Sequence, residues 1–143
     1  MEDLMSEDSE PIVDQARRDR MEGRLREALT GYERAADIAR TANDMGQLAH
    51  AQRHVGDLLR ELGQNRSAES AASEAVALYR QHCDDASLDL ANALRVLALA
   101  QESLGQSPEA GRSWREARSL YTAVGVLPGV HECDQHIARL GRA

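Results

Sequence analysis

Apolar residues return along this chain at steps of three and four, and the stripes they form break at regularly spaced glycines. Five residues after Gly23, Gly63 and Gly105 stand Ala28, Ala68 and Ala110; nine after them stand Tyr32, Ala72 and Trp114. Ala35, Ala75 and Ala117 follow at plus twelve, and Ala39, Tyr79 and Tyr121 at plus sixteen. Steps of 4, 3 and 4 put each set on one helix face. Ahead of the glycines, Leu48, Val55, Leu59 and Leu62 keep helical spacing, as do Leu90, Leu94, Leu97, Gln101 and Leu104. Each unit therefore reads as a helix, a glycine turn and a second helix, because glycine takes the left-handed position after a helix without steric cost.

The repeat is visible in the letters themselves. Leu62-Gly63-Gln64 returns as Leu104-Gly105-Gln106 and Leu48-Ala49-His50-Ala51 as Leu90-Ala91-Asn92-Ala93, both 42 residues on, while Gly23 precedes Gly63 by 40. The pattern predicts helices over 10–22, 25–41, 45–62, 66–82, 86–104, 108–123 and 128–140, about seven antiparallel helices and no strands. Ser107-Pro108-Glu109 predicts an N-cap, a proline in the first helical position and an acid in the first turn; Ser9-Glu10-Pro11 is similar. Gly125 is expected to close the third hairpin, and Pro128 to open a capping helix whose apolar stripe is Val130, Cys133, Ile137 and Leu140. Asp19 and Arg20 stand where later repeats carry Leu59 and Arg60 or Gln101 and Glu102, so the first helix also reads as an end unit. The expected organisation is an acidic, disordered tail over 1–9 and one domain over 10–143. Its repeats cover about 10–41, 45–82 and 86–124, with a capping helix over 128–141.

Composition fits this picture. Phe is absent, aromatics are 3% of the 143 residues, and Ala and Leu dominate the apolar set, which suits closely packed helices better than sheets. All 17 basic residues are arginine, the mark of a GC-rich, bacterial-type genome. The net charge is −7, of which residues 1–10 hold five acids and no base, leaving 19 acids against 17 arginines elsewhere. A near-neutral body with an acidic tail offers no footprint for nucleic acid or anionic lipid. No apolar run approaches membrane-spanning length, the first residues lack the pattern of a secretory signal, and two cysteines make no disulfide framework, so a cytoplasmic protein with reduced thiols is expected.

These residues resemble the tetratricopeptide repeat (TPR). Ala28 with Tyr32 and Ala110 with Trp114 match its Ala-x3-aromatic element, and Val55-Gly56 matches its Leu-Gly element. The spacing of 40–42 resembles the longer repeats of the kinesin light chain type, although Arg53-His54 and Arg95-Val96 stand where that branch often carries paired asparagines. The resemblance implies an all-α, right-handed solenoid of three helical hairpins plus a C-terminal capping helix. It further implies a concave groove lined by the first helix of each hairpin.

Counting back from each turn glycine at the offsets the resemblance supplies places Arg17, Arg20, His50, Arg53, His54, Arg60, Asn92, Arg95 and Leu99 on that groove, with His131 and Arg139 on its rim. The six arginines and three histidines make the groove the expected basic part of an acidic protein. Guanidinium groups pair with carboxylates, and family members commonly hold a peptide's C-terminal carboxylate, so the expected partner is a protein or peptide with an acidic or C-terminal segment, clamped by Arg53 and Arg95. Against this stands solvation of the arginines, or their pairing with nearby acids such as Asp57, four residues after Arg53. The acidic tail complements the groove and would serve there as a tethered competitor; a solvated tail is the simpler expectation.

No catalytic, cofactor or metal constellation is expected. His50 and His54 share a helix face, but His131, Cys133 and His136 spread around theirs. Cys83 and His82 are adjacent and diverge by roughly 100° on a helix. No phosphate loop or nucleophile elbow occurs. A non-enzymatic interaction scaffold is the leading expectation, and a module that self-associates into a homo-oligomer is the alternative.

Overall fold

The computed structural model describes residues 9–142. The disorder expected of the tail falls, for residues 1–8, outside the described residues. Seven helices follow one another: α1 (Glu10–Met21), α2 (Leu25–Thr41), α3 (Met45–Glu61), α4 (Asn65–His82), α5 (Ser87–Ser103), α6 (Ser107–Val124) and α7 (Leu127–Leu140). Among the described residues there is no strand. Each helix packs on the next, and α3 also touches α5. The odd-numbered helices thus form one layer and the even-numbered helices a second, which is the all-α helical-repeat architecture that the stripes predict.

The turns have a common chemistry. Gly23, Gly63, Gly105 and Gly125 have φ between 76° and 82°. After each, the next N–H reaches the carbonyl five residues back: Arg24 to Asp19, Gln64 to Leu59, Gln106 to Gln101 and Val126 to Tyr121, at 2.8–2.9 Å. That is the helix-ending motif a left-handed residue permits. Asn43, at φ 57°, does the same between α2 and α3, with Asp44 N–H donating to the Ala39 carbonyl. Asp44 then caps α3 by accepting from the Gln47 amide at 3.1 Å. Of the two predicted serine caps, Ser9 does stand immediately before α1, but Ser107 does not precede α6. Ser107 is already inside α6, Gln106 precedes it, and neither Ser9 nor Gln106 makes a side-chain capping bond.

The glycine-counted stripes form the core. Ala28, Ala68, Ala72, Ala75, Ala110, Trp114 and Ala117 are fully buried, with Tyr32, Tyr79 and Tyr121 almost so. Small residues let the paired helices close up: a Cβ on Gly31 would lie 2.9 Å from the Ala16 Cβ, and one on Gly56 would lie 3.2 Å from the Ala72 backbone nitrogen. Cys133 is buried in the core, where burial raises its thiol to about 11, while Val130, Ile137 and Leu140 pack beside it as expected of a capping stripe. The first helix, read as an end unit, buries one acid. Asp19 is only 8% exposed, and its carboxylate accepts from Gln15 at 3.0 Å and Arg24 at 2.7 Å.

Gly63 isolates the backbone contribution of the turns, because a Cβ there would meet nothing within 4 Å. Gly63→Val is expected to cost ~1–2 kcal/mol through the left-handed conformation alone. Arg112→Ala on the exposed face of α6 should stay within about 0.5 kcal/mol. Urea unfolding of both variants checks the difference.

Candidate functional site

A groove of about 620 Å³ opens between α3, α5 and α7. Arg53 and Asp57 come from α3, Asn92 and Arg95 from α5, and Glu132 from α7, with the Tyr121 ring of α6 beneath. Tyr121 sits there because the first turn of α7 carries a residue that lacks a side chain: a Cβ on Gly129 would fall 2.6 Å from its ring. Its hydroxyl donates to Asn92 Oδ1 at 2.6 Å, and burial pushes its pKa up to about 12, so it remains a donor across the physiological range.

Most charges on this layer are already matched. Arg20 of α1 donates to Asp57 at 2.7 Å and to Glu61, and Arg60 donates to Asp57 at 2.8 Å. Burial pushes the Asp57 carboxyl up, but the bonds from Arg60 and Arg20 outweigh it and hold it below its usual range. Arg95 donates to both oxygens of Glu132, at 2.5 and 3.0 Å, which raises its own pKa against the opposing effect of burial. Further along, Glu102 accepts from the Trp114 indole and lies 2.6 Å from His136 Nδ1 and 3.4 Å from Arg139. The His136 ring stacks on Trp114 at 4.1 Å, which pins α7 over the third hairpin.

Arg53 is the exception. The pairing with Asp57 read from their four-residue spacing is not made, because Arg20 and Arg60 occupy that carboxylate. The Arg53 Nε is buried with no hydrogen-bond partner, and so is the Tyr79 hydroxyl beside it. Among the described residues Arg53 makes no ion pair. A buried donor without a partner forfeits its hydration, and a guanidinium forfeits more than a neutral group.

The other residues placed on the groove by counting fall into distinct settings. Arg53, Asn92 and Arg95 come together as expected, and Arg20 and Arg60 meet at Asp57. His54 stacks on Tyr32 at 4.5 Å, with His50 edge-on to it at 5.0 Å. Leu99 is half-buried against the core, Arg17 pairs with Asp14 at 3.0 Å on the surface, and His131 and Arg139 are exposed. Tyr121 and Gly129 belong to the groove although counting assigned neither to it. Their signal was a tyrosine on the outer helix facing a glycine in the first turn of the next inner helix. Among the described residues no group of three or more His, Cys, Asp or Glu is placed to hold a metal ion, and no helix is long and apolar enough to cross a membrane.

Comparison with known proteins agrees with the fold. A TPR-like protein from Chlorobium tepidum, known from its crystal structure, superposes with a TM-score of 0.79 over 93% of this chain and 94% of its own, at 20% identity. No protein-family model matches the chain, and no curated protein matches its sequence. The class defined by the paired layers and the turn chemistry is a tetratricopeptide-like helical repeat.

His54 makes the packing of this layer depend on pH. Burial, then the charge of Arg53 and the proximity of His50 and Arg20, lower its pKa to about 3, with Asp57 opposing. An unfolded His54 takes up a proton near its ordinary value of about 6.5. Between those values the unfolded state binds more protons, so stability falls as the pH drops through that window. His54→Phe keeps a ring against Tyr32 and removes the titration. Thermal melts from pH 7 to pH 4 should therefore fall less steeply in the variant than in the parent protein.

Proposed function

We propose that this chain is a non-catalytic, protein-binding scaffold of a bacterial-type cytoplasm. It holds a peptide or protein partner in the groove between α3, α5 and α7, through a carboxylate at Arg53. The observation that carries the reading is that the Arg53 guanidinium, its Nε buried without a hydrogen-bond partner, makes no ion pair among the described residues, in a groove whose neighbouring arginines already have acids. An incoming carboxylate would accept from a planar fork of donors while Asn92 offers a neighbouring amide. Arg95 then acts with Glu132 as a wall of the groove, so a single carboxylate fits this surface better than a run of acids. The TPR-like fold supports a protein partner, and the 40–42-residue spacing supports a place beside the longer repeats of the kinesin light chain type.

Titration at low ionic strength with a peptide that ends in a free acidic C-terminus tests the proposal. Arg53→Ala is expected to weaken binding by roughly tenfold or more, in line with about 1.5–3 kcal/mol for hydrogen bonds to a charged group. Arg53→Lys should recover only part of this, since a point charge lacks the fork. Amidating the peptide C-terminus should mimic Arg53→Ala. Absence of binding, or binding indifferent to Arg53, contradicts the proposal.

A further inference from the structure

We infer that Tyr79 is a second ligand-binding residue of this site: its hydroxyl donates to a neutral amide carbonyl of the bound chain, beside the carboxylate held by Arg53. The site then reads the last peptide unit of a C-terminus. The inference rests on the groove reading above and narrows its ligand.

Two independent observations carry it. The first is burial without a partner. Tyr79 of α4 is only 4% exposed, and its hydroxyl has no hydrogen-bond partner, the condition also of the Arg53 Nε beside it. The described residues therefore supply an acceptor to neither donor. A bond from Nε to the phenol oxygen would still leave the hydroxyl proton without one. Burial raises the Tyr79 pKa against the opposing charge of Arg53, so the hydroxyl keeps its proton and its role as a donor.

The second observation is the repeat itself. Arg95 and Tyr121 stand 42 residues after Arg53 and Tyr79, and Asn92 stands 42 after His50. In that later repeat both donors are matched: Arg95 reaches the two oxygens of Glu132, and the Tyr121 hydroxyl reaches Asn92 Oδ1 at 2.6 Å. The molecule thus displays the acceptor that each position takes, a carboxylate for the arginine and an amide carbonyl for the tyrosine. In the earlier repeat His50 replaces the asparagine, and Arg53 makes no ion pair among the described residues.

Asp89 settles which acceptor goes where. It stands on α5, close enough to Tyr79 for its charge to raise the tyrosine pKa further. That charge opposes a second anion at the hydroxyl but tolerates a neutral carbonyl. A carboxylate with an amide carbonyl one residue back is how a peptide chain ends, whereas a small organic acid brings no amide.

Stability and binding test the inference separately. Tyr79→Phe removes a hydroxyl that has no partner, so its urea midpoint should equal or exceed that of the parent protein. Tyr121→Phe gives up the Asn92 bond and should lower the midpoint. For the peptide with a free acidic C-terminus, Tyr79→Phe should weaken binding about fivefold, the scale of one neutral hydrogen bond. Replacing the last amide carbonyl of that peptide with a thiocarbonyl, a weaker acceptor, should weaken its binding to the parent protein but not to Tyr79→Phe. A midpoint lowered as far by Tyr79→Phe as by Tyr121→Phe overturns the inference whether or not the peptide binds. Binding that is sensitive to Arg53 but indifferent to Tyr79→Phe, or a thiocarbonyl penalty equal in both proteins, overturns it while leaving the groove reading intact. Binding indifferent to Arg53 overturns both.

Discussion

Everything in this molecule depends on how closely its helices can approach. With no phenylalanine and few other large side chains, the layers close on alanine and glycine: Gly31 against Ala16, Gly56 against Ala72, and Gly129 under the Tyr121 ring. Close packing of small residues leaves little freedom in the register between neighbours, because a single added methyl at these points meets the Ala16 Cβ, the Ala72 backbone or the Tyr121 ring. The few large residues, Tyr32, Tyr79, Trp114 and Tyr121, fill what the alanines leave. Register in turn decides which side chains of α3, α5 and α7 look into the groove.

The ion pairs follow from that register. On the outer layer, Arg40 grips both oxygens of Glu74 and Arg80 both oxygens of Glu116, one bidentate pair for each step between even-numbered helices. On the inner layer, Arg20 with Asp57 and Arg95 with Glu132 link α1 to α3 and α5 to α7. Exposed pairs of this kind add little stability singly; the half-buried ones hold orientation by satisfying groups that would be costly to leave alone. Arg53 stands out against this background. It sits on the inner layer at the step where α3 meets α5, and the residues of that step do not supply its acid.

Much of this was legible in the letters. The stripes counted from Gly23, Gly63 and Gly105 became the core, and the helix boundaries fell within two residues of expectation. Asn43 escaped notice because a search for glycine misses the other residue that tolerates a left-handed turn. The Ser107 cap was misplaced by one residue since proline is accepted throughout the first turn, so Pro108 alone could not locate the start of α6, whereas Ser9 does precede α1. Counting also brought Arg53, Asn92 and Arg95 together but was blind to their partners. The acids that neutralise Arg20 and Arg95 lie 37 residues away, a separation set by how one repeat stacks on the next and not by periodicity within a helix. A surface read as basic from its arginines is therefore largely neutral among the described residues, with Arg53 left without an acid.

The most direct measurement compares what the protein captures from the lysate of its own cell with what Arg53→Glu and Arg112→Glu capture, each quantified by mass spectrometry. The account predicts that partners retained by the parent protein are lost with Arg53→Glu and kept with Arg112→Glu, which alters the outer surface by the same charge. Identical capture by all three proteins, or losses shared equally by the two variants, would contradict a groove that recognises its partner through Arg53.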